Sequence, residues 1–309
     1  MTTLSEYISE SILSSTRTGK VHMDEEFKKY RLDPDLVTLN ADGSIDYDGN
    51  VKMSRRMLTK LPFKFRKVNG DFTVSQNSLT SLEGCPEEVN GSFFCDNNNL
   101  TSLKGGPERV NGEFYCMSNE LTTLEGAPKE INGAFNCSYN NLTNLIHCPQ
   151  VIKGSCYCND NQLVSLKGVP KEIKHKFTCD NNNLTTLKGG PKQIGGGYDC
   201  SFNDLITLDG APKEINGVFN CSFNSLTNLN HCPDTVQKSF LCHNNNLTSL
   251  KHCPAVIKDS LVCSHNQLTS LDGIPSKLNG DLYCEENPGK FTKEDVLAVC
   301  KINTSNIHV

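Results

Sequence analysis

Residues 121–140 read L-T-T-L-E-G-A-P-K-E-I-N-G-A-F-N-C-S-Y-N, and the phrase returns every 21 residues along most of the 309-residue chain. Leu58, Leu79, Leu100, Leu121, Leu142, Leu163, Leu184, Leu205, Leu226, Leu247 and Leu268 stand in one column without a slip. Leu61, Leu82 and Leu103 open a second column that runs to Leu271. Such a period marks a solenoid, in which each coil buries its apolar face against its neighbours. Phe72, Phe93, Phe114, Phe135, Phe177, Phe219 and Phe240 alternate with a cysteine column two positions on. That period of two predicts a short parallel strand per coil, with Phe and Cys pointing inward. Asn77 to Asn287 form an unbroken column after the strand, and a buried Asn ladder there can satisfy backbone groups of the turn and of the next coil. Between the Leu pair and a closing Val or Ile lies G-x-P, as in Gly126-Ala127-Pro128. So short a return path has no room for a helix and should be extended or polyproline-like.

The combination of L-x-x-L, a following Asn column and this period is the signature of leucine-rich repeats. The fold expected is a β-rich solenoid, a leucine-rich-repeat right-handed curved array with short parallel strands on the concave face, extended convex segments and helical caps. Residues 58–288 form the array of about 11 coils, 1–57 an N-terminal helix and capping region, and 289–309 a C-terminal capping helix. The repeat F-x-C-x-x-N-x-L-x-x-L-x-G-x-P-x-x-I resembles the short bacterial class found in enterobacterial effectors. It departs from that class by one extra residue before the strand, usually Gly (Gly91, Gly112, Gly133), and by Cys in place of an aliphatic. It is more similar still to uncharacterised repeat proteins of tailed phages. The resemblance implies a fold and is nearly silent on function.

Outside the array, Leu4, Ile8 and Ile12 predict a helix over residues 4–14, followed by a linker from Ser14 to Lys20 and a second helical stretch from Asp24 to Tyr30. Ser44 to Tyr47, between Asp42-Gly43 and Asp48-Gly49, read as a short strand in a solvated hairpin; the acids only loosely match a calcium loop. Thr292-x-x-Asp295 starts a C-terminal helix, with Val296, Leu297 and Val299 expected inside and Cys300 at its end.

Composition excludes several classes. The net charge is −5, and without any Lys/Arg-rich run no nucleic-acid partner is expected. No apolar run is long enough to span a membrane, and the N-terminus lacks a secretory signal, so a cytoplasmic protein is expected. The sequons at Asn99, Asn141, Asn183 and Asn246 then arise from the repeat itself. Ten of the sixteen cysteines, Cys95 to Cys284, occupy one inward column whose first member is Val74. Side chains of one parallel ladder are poorly aimed for a disulfide, so these are read as reduced, small core groups.

Catalytic motifs are lacking: there is no phosphate loop, no H-E-x-x-H, no G-x-S-x-G and no paired C-x-x-C. No enzyme, no cofactor and no metal are expected; His147, His231 and His252 replace a turn Gly rather than forming a metal site. The outward columns carry the candidate binding surface. Phe94, Tyr115, Met117, Tyr139, Tyr157, Asp180, Asp199, Phe202 and Phe223 are the candidate protein-binding residues of the concave face. The alternative is that these aromatics only stabilise the sheet across strands. Nine acids (Asp71, Asp96, Glu113, Asp160, Asp180, Asp199, Asp281, Glu285, Glu286) face Lys176 in these columns, which favours a protein partner with a basic patch.

Two functions follow. One is a non-enzymatic protein-binding module, of phage or bacterial origin, inhibiting or sequestering a host protein. The other is a structural or internal virion protein, because Met1 to Glu10 resembles the leaders that direct proteins into phage heads. In that resemblance Ile8-Ser9-Glu10 matches the cleavage tripeptide, with the cut after Glu10.

Overall fold

The computed structural model describes residues 17–309; the helix expected over 4–14 and the Glu10 site lie outside the described residues. The chain gathers into two compact units, one reaching Asn141 with His147–Val151 added, the other Leu142–Ile146 with Ile152–Val309. In the first unit Val51–Lys52, Phe72–Thr73, Phe93–Phe94, Phe114–Tyr115 and Phe135–Asn136 pair as successive parallel strands, each Phe facing the Phe one repeat on. In the second the same ladder runs from Cys156–Tyr157 to Leu282–Tyr283, again in register at one repeat per rung. The 21-residue period is thus the length of one coil, and each unit is a parallel-strand leucine-rich-repeat solenoid.

The return path is more ordered than a polyproline-like segment. Phe65–Val68, Glu88–Val89, Arg109–Val110 and Glu130–Ile131 form a second parallel ladder in the first unit. Glu172–Ile173 to Val256–Ile257 do the same in the second. The turn between the ladders needs a left-handed residue. Gly126 has φ +97°, and a Cβ there would come within 2.3 Å of the Leu103 backbone. His147, His231 and His252 meet the same demand at φ 67–69°, within reach of an L-residue.

The inward Phe rings are fully buried and lie 5.1–5.9 Å apart between neighbouring coils from Phe72 to Phe135. From Phe177 through Tyr198 to Phe240 the spacings are 5.3–5.7 Å. The cysteines are all free thiols, fifteen of them buried. Several donate a weak S–H bond to the strand carbonyl of the following coil, as Cys116 does to Asn136 at 3.4 Å and Cys158 to Thr178 at 3.1 Å. Burial pushes the Cys116 and Cys200 thiols up, away from the reactive thiolate.

The Asn column ties the coils together. Asn119 donates through Nδ2 to the Cys95, Cys116 and Met117 carbonyls at 3.1–3.3 Å, and its Oδ1 accepts from the Leu100 amide at 3.0 Å. Cys95 and Leu100 belong to the preceding coil. The ladder therefore reaches backward along the chain and not, as expected, to the next coil. Asn182, Asn203 and Asn245 repeat this pattern in the second unit.

The ends differ from expectation in three places. The first described helix, α1, spans Arg17–Lys29, so residues 17–20 are helical and not linker. Gly19 costs about 1 kcal/mol in a helix interior, and the buried Phe27, packed 5.0 Å from Phe63, holds the helix in place. The strand Ile45–Tyr47 does form a hairpin with Val37–Leu39, but it is not solvated. It pairs also with Phe65–Val68, which buries Ser44, Ile45 and Tyr47. Asp42 and Asp46 are engaged by Lys64 and Arg66, whose cations hold both carboxyls below the usual range. The C-terminal helix, α2, spans Lys293–Val299 behind a Thr292/Asp295 capping box. Val296 and Cys300 are buried, one turn apart on a single face, while Leu297 and Val299 are exposed, against expectation. The chain then adds an unforeseen strand, Ile307–His308, beside Leu282–Tyr283.

Two outcomes are expected. Asn119→Leu keeps the branched shape but leaves the buried Leu100 amide without its acceptor and removes three bonds to carbonyls that keep other donors, and should lower unfolding free energy by about 1–3 kcal/mol in denaturant titration. Dithiothreitol should leave the melting temperature unchanged by calorimetry; a large drop would show that thiols are bridged.

Candidate functional site

Each two-residue strand turns one side chain in and one out. In the first unit the outward residues Phe94 and Tyr115 are half-buried and meet edge to face, ring centroids 5.3 Å apart. Met117 is held beneath Asn136, whose Nδ2 lies 3.3 Å from its sulfur. Tyr139 is 53% exposed and belongs not to the strand but to the turn after it, at φ +55°. These four residues lie on neighbouring coils of the first unit, and Phe94 and Tyr115 make the cross-strand contact that sheet stabilisation alone would use.

The second unit holds Tyr157, Asp180, Asp199, Phe202 and Phe223. Tyr157 is half-buried on the strand. Phe202 and Phe223 occupy the same turn position as Tyr139, two coils in succession, at φ +51° and +53°. Asn97, Asn181 and Asn244 fill this position in other coils at φ 53–55°. Asn is at ease there, whereas a large L side chain in the left-handed region costs about 1 kcal/mol. Stacking returns part of that cost: the two rings lie 4.2 Å apart with planes 9° from parallel. The pair still presents 53% of Phe202 and 39% of Phe223 to solvent. His243 closes the far side of Phe223, edge to face at 5.3 Å.

The carboxylates beside this stack are poorly neutralised. Burial, then repulsion from Asp199 and, less, from Asp160, raises the Asp180 carboxyl from 3.8 to about 6, against the opposing pull of a backbone N–H hydrogen bond and a weaker one from Lys176. Asp199 is held by the Ser201 amide and hydroxyl at 3.2 and 2.7 Å. Asp160 accepts from Asn159 at 2.6 Å and from Asn181. Apolar rings next to uncompensated acids make a surface that attracts a cation carried on an apolar stem.

Ile206, four residues after Phe202, is a second exposed apolar side chain of this coil at 62%, yet the sequence reading passed over it. The signal was present: its column is Thr at Thr185, Thr227, Thr248 and Thr269. Among the described residues no cluster of potential metal ligands is found, and no helix is long and apolar enough to cross a membrane.

No family model matches the chain, and no curated protein matches it. Among solved structures it is similar to YopM from Yersinia enterocolitica WA-314, at 20% identity and a TM-score of 0.53, over 77% of this chain. The match spans 56% of that YopM chain, a little over half its length. YopM from Yersinia pestis, a leucine-rich effector protein, is 18% identical over 84% of this chain and 88% of its own, with a TM-score of only 0.39. The first likeness shows a shared leucine-rich-repeat fold.

Asp180 generates a pH signature. Its folded carboxyl titrates near 6 against 3.8 for the ordinary group, so the folded state holds the extra proton between these values. Stability from this group is therefore greatest below the ordinary value and is lost as pH rises through about 6. Asp180→Asn should abolish that fall. The check is the difference in urea midpoint between wild type and variant, followed from pH 4 to pH 7; subtraction removes the opposite trend from His243, whose pKa burial lowers.

Proposed function

We propose that the protein binds another protein through the outward strand and turn columns of its repeats, the partner offering a basic patch. The observation that carries this reading is the exposed Phe202–Phe223 stack, set on left-handed backbone where Asn would serve the fold better, beside the unneutralised Asp180. A purely structural aromatic pair has no reason to occupy strained, solvent-facing positions. Phe94, Tyr115, Met117 and Tyr139 form a second candidate surface on the first unit. Residues 1–57 and 289–309 are proposed as caps of the array 58–288, because an open rung would expose backbone edge. The repeat pattern favours a phage or bacterial chain that sequesters a host protein in the cytoplasm without catalysis.

The test is affinity capture from bacterial lysate, read by quantitative mass spectrometry. Wild type is compared with Phe202→Ala/Phe223→Ala and with Tyr115→Ala/Tyr157→Ala. A protein retained by wild type should be depleted at least tenfold by the phenylalanine pair. Equal retention by both variants would return these aromatics to a stacking role.

A further inference from the structure

The Phe202–Phe223 patch has two unlike ends. On one side His243 packs its edge against Phe223. On the other, the coil before Phe202 carries only the short Asn181 at the equivalent turn position. The two coils are adjoining rungs, since the Asn181 amide donates to the Ser201 carbonyl and the Asn182 amide to the Phe202 carbonyl, at 3.1 and 3.2 Å. Rings 4.2 Å apart and nearly parallel must stand across the rung direction, so the outer face of Phe202 looks along the array, over Asn181. That face is the open one, and Phe202 is the more exposed of the pair.

Acids border this open face. Asp180 precedes Asn181 in the chain, and Asp160, one coil further back, accepts from the Asn181 side chain. The outward and turn positions of these coils, from Tyr157 to Phe223, hold Asp160, Asp180 and Asp199, with Lys176 as the one basic residue. Lys176, at the start of the strand, is the one cation acting on Asp180. An aromatic face flanked by carboxylates at one rung spacing is complementary to a flat, delocalised cation that stacks with its plane and donates from its edge. Guanidinium has that shape; an ammonium is a point charge that cannot use both features together.

We propose that the open face of Phe202, with Asp160 and Asp180, is a seat for one arginine side chain of the protein partner. The seat rests on the protein-binding reading above and names the group that surface selects. The guanidinium lies on the ring above Asn181, its N–H groups turn toward the two carboxylates, and its methylene stem lies against the exposed Phe202 ring. The stack supplies the apolar anchor and the carboxylates supply the choice of arginine. Replacement of Phe202 by the Asn found in neighbouring coils would erase the seat while easing the backbone.

The test uses fluorescein-labelled Gly-Arg-Gly-Arg-Gly amide and its lysine counterpart, titrated against the full chain by fluorescence anisotropy. Wild type should bind the arginine peptide about threefold tighter or more. Phe202→Leu, which keeps apolar bulk and removes the ring, should bring the two peptides level. Phe202→Asn should do the same with its melting temperature little changed, separating lost recognition from lost fold. Asp180→Asn should weaken the arginine peptide. Equal affinity of wild type for both peptides, binding of neither at millimolar concentration, a preference that survives Phe202→Leu, or indifference to Asp180→Asn would each overturn the seat. Those results leave the capture experiment untouched: a partner still lost with Phe202→Ala/Phe223→Ala would preserve the protein-binding reading while the arginine seat falls.

Discussion

The buried asparagine amide is the constraint on which the rest of each unit depends. A coil that turns sharply after two strand residues strands backbone carbonyls and amides where no ladder reaches them. One Asn per coil bonds its own coil and the preceding one, as Asn119 does with Cys116 and Cys95. No other side chain of that size offers two donors and an acceptor in one plane. The bonds fix the distance and register between coils, so every other column inherits the same 21-residue step. Fully buried Phe and Leu supply the larger share of the free energy, about 1.5–3 kcal/mol for each. That burial is non-directional and would tolerate slippage, which the Asn ladder forbids.

The interior is thereby committed, and variation is free only where side chains leave the ladder. Cysteine suits the second inward position because it is small, apolar and able to offer a weak S–H donor to the next strand. Its buried thiol is correspondingly inert. The outward and turn columns carry no such obligation. There the chain varies, with Phe202 and Phe223 in a turn column that elsewhere holds Gln76, Asn97, Ser118 and Asp160, and with Ile206 in a column mostly of Thr. A large side chain on left-handed backbone, as at Phe202 and Phe223, raises local cost rather than lowering it.

The two ends are built differently from the coils. At the N-terminal end the hairpin Val37–Leu39/Ile45–Tyr47 joins the outer ladder, and Phe27 of α1 packs on Phe63. At the other end Ile307–His308 pairs with Leu282–Tyr283, where His308 stacks on Tyr283 at 4.3 Å. Neither arrangement repeats, so each had to be built from residues outside the periodic pattern.

That difference separates what was legible from what was not. Period, inward columns, the Asn ladder and the left-handed turns could all be read from residues 121–140, because a repeat shows the same environment many times and noise averages out. The hairpin's burial, the early start of α1, the exposure of Leu297 and Val299 and the final strand could not, because each depends on a single long-range contact with no second copy. The candidate surface lies between these cases. Composition placed Phe202, Phe223, Asp180 and Asp199 on outward columns. Only the tertiary structure decided that the two rings stack face to face on left-handed turns and that Asp180 is half-buried beside Asp199. Stacking geometry and desolvation are properties of neighbouring coils in space, and a list of columns carries neither.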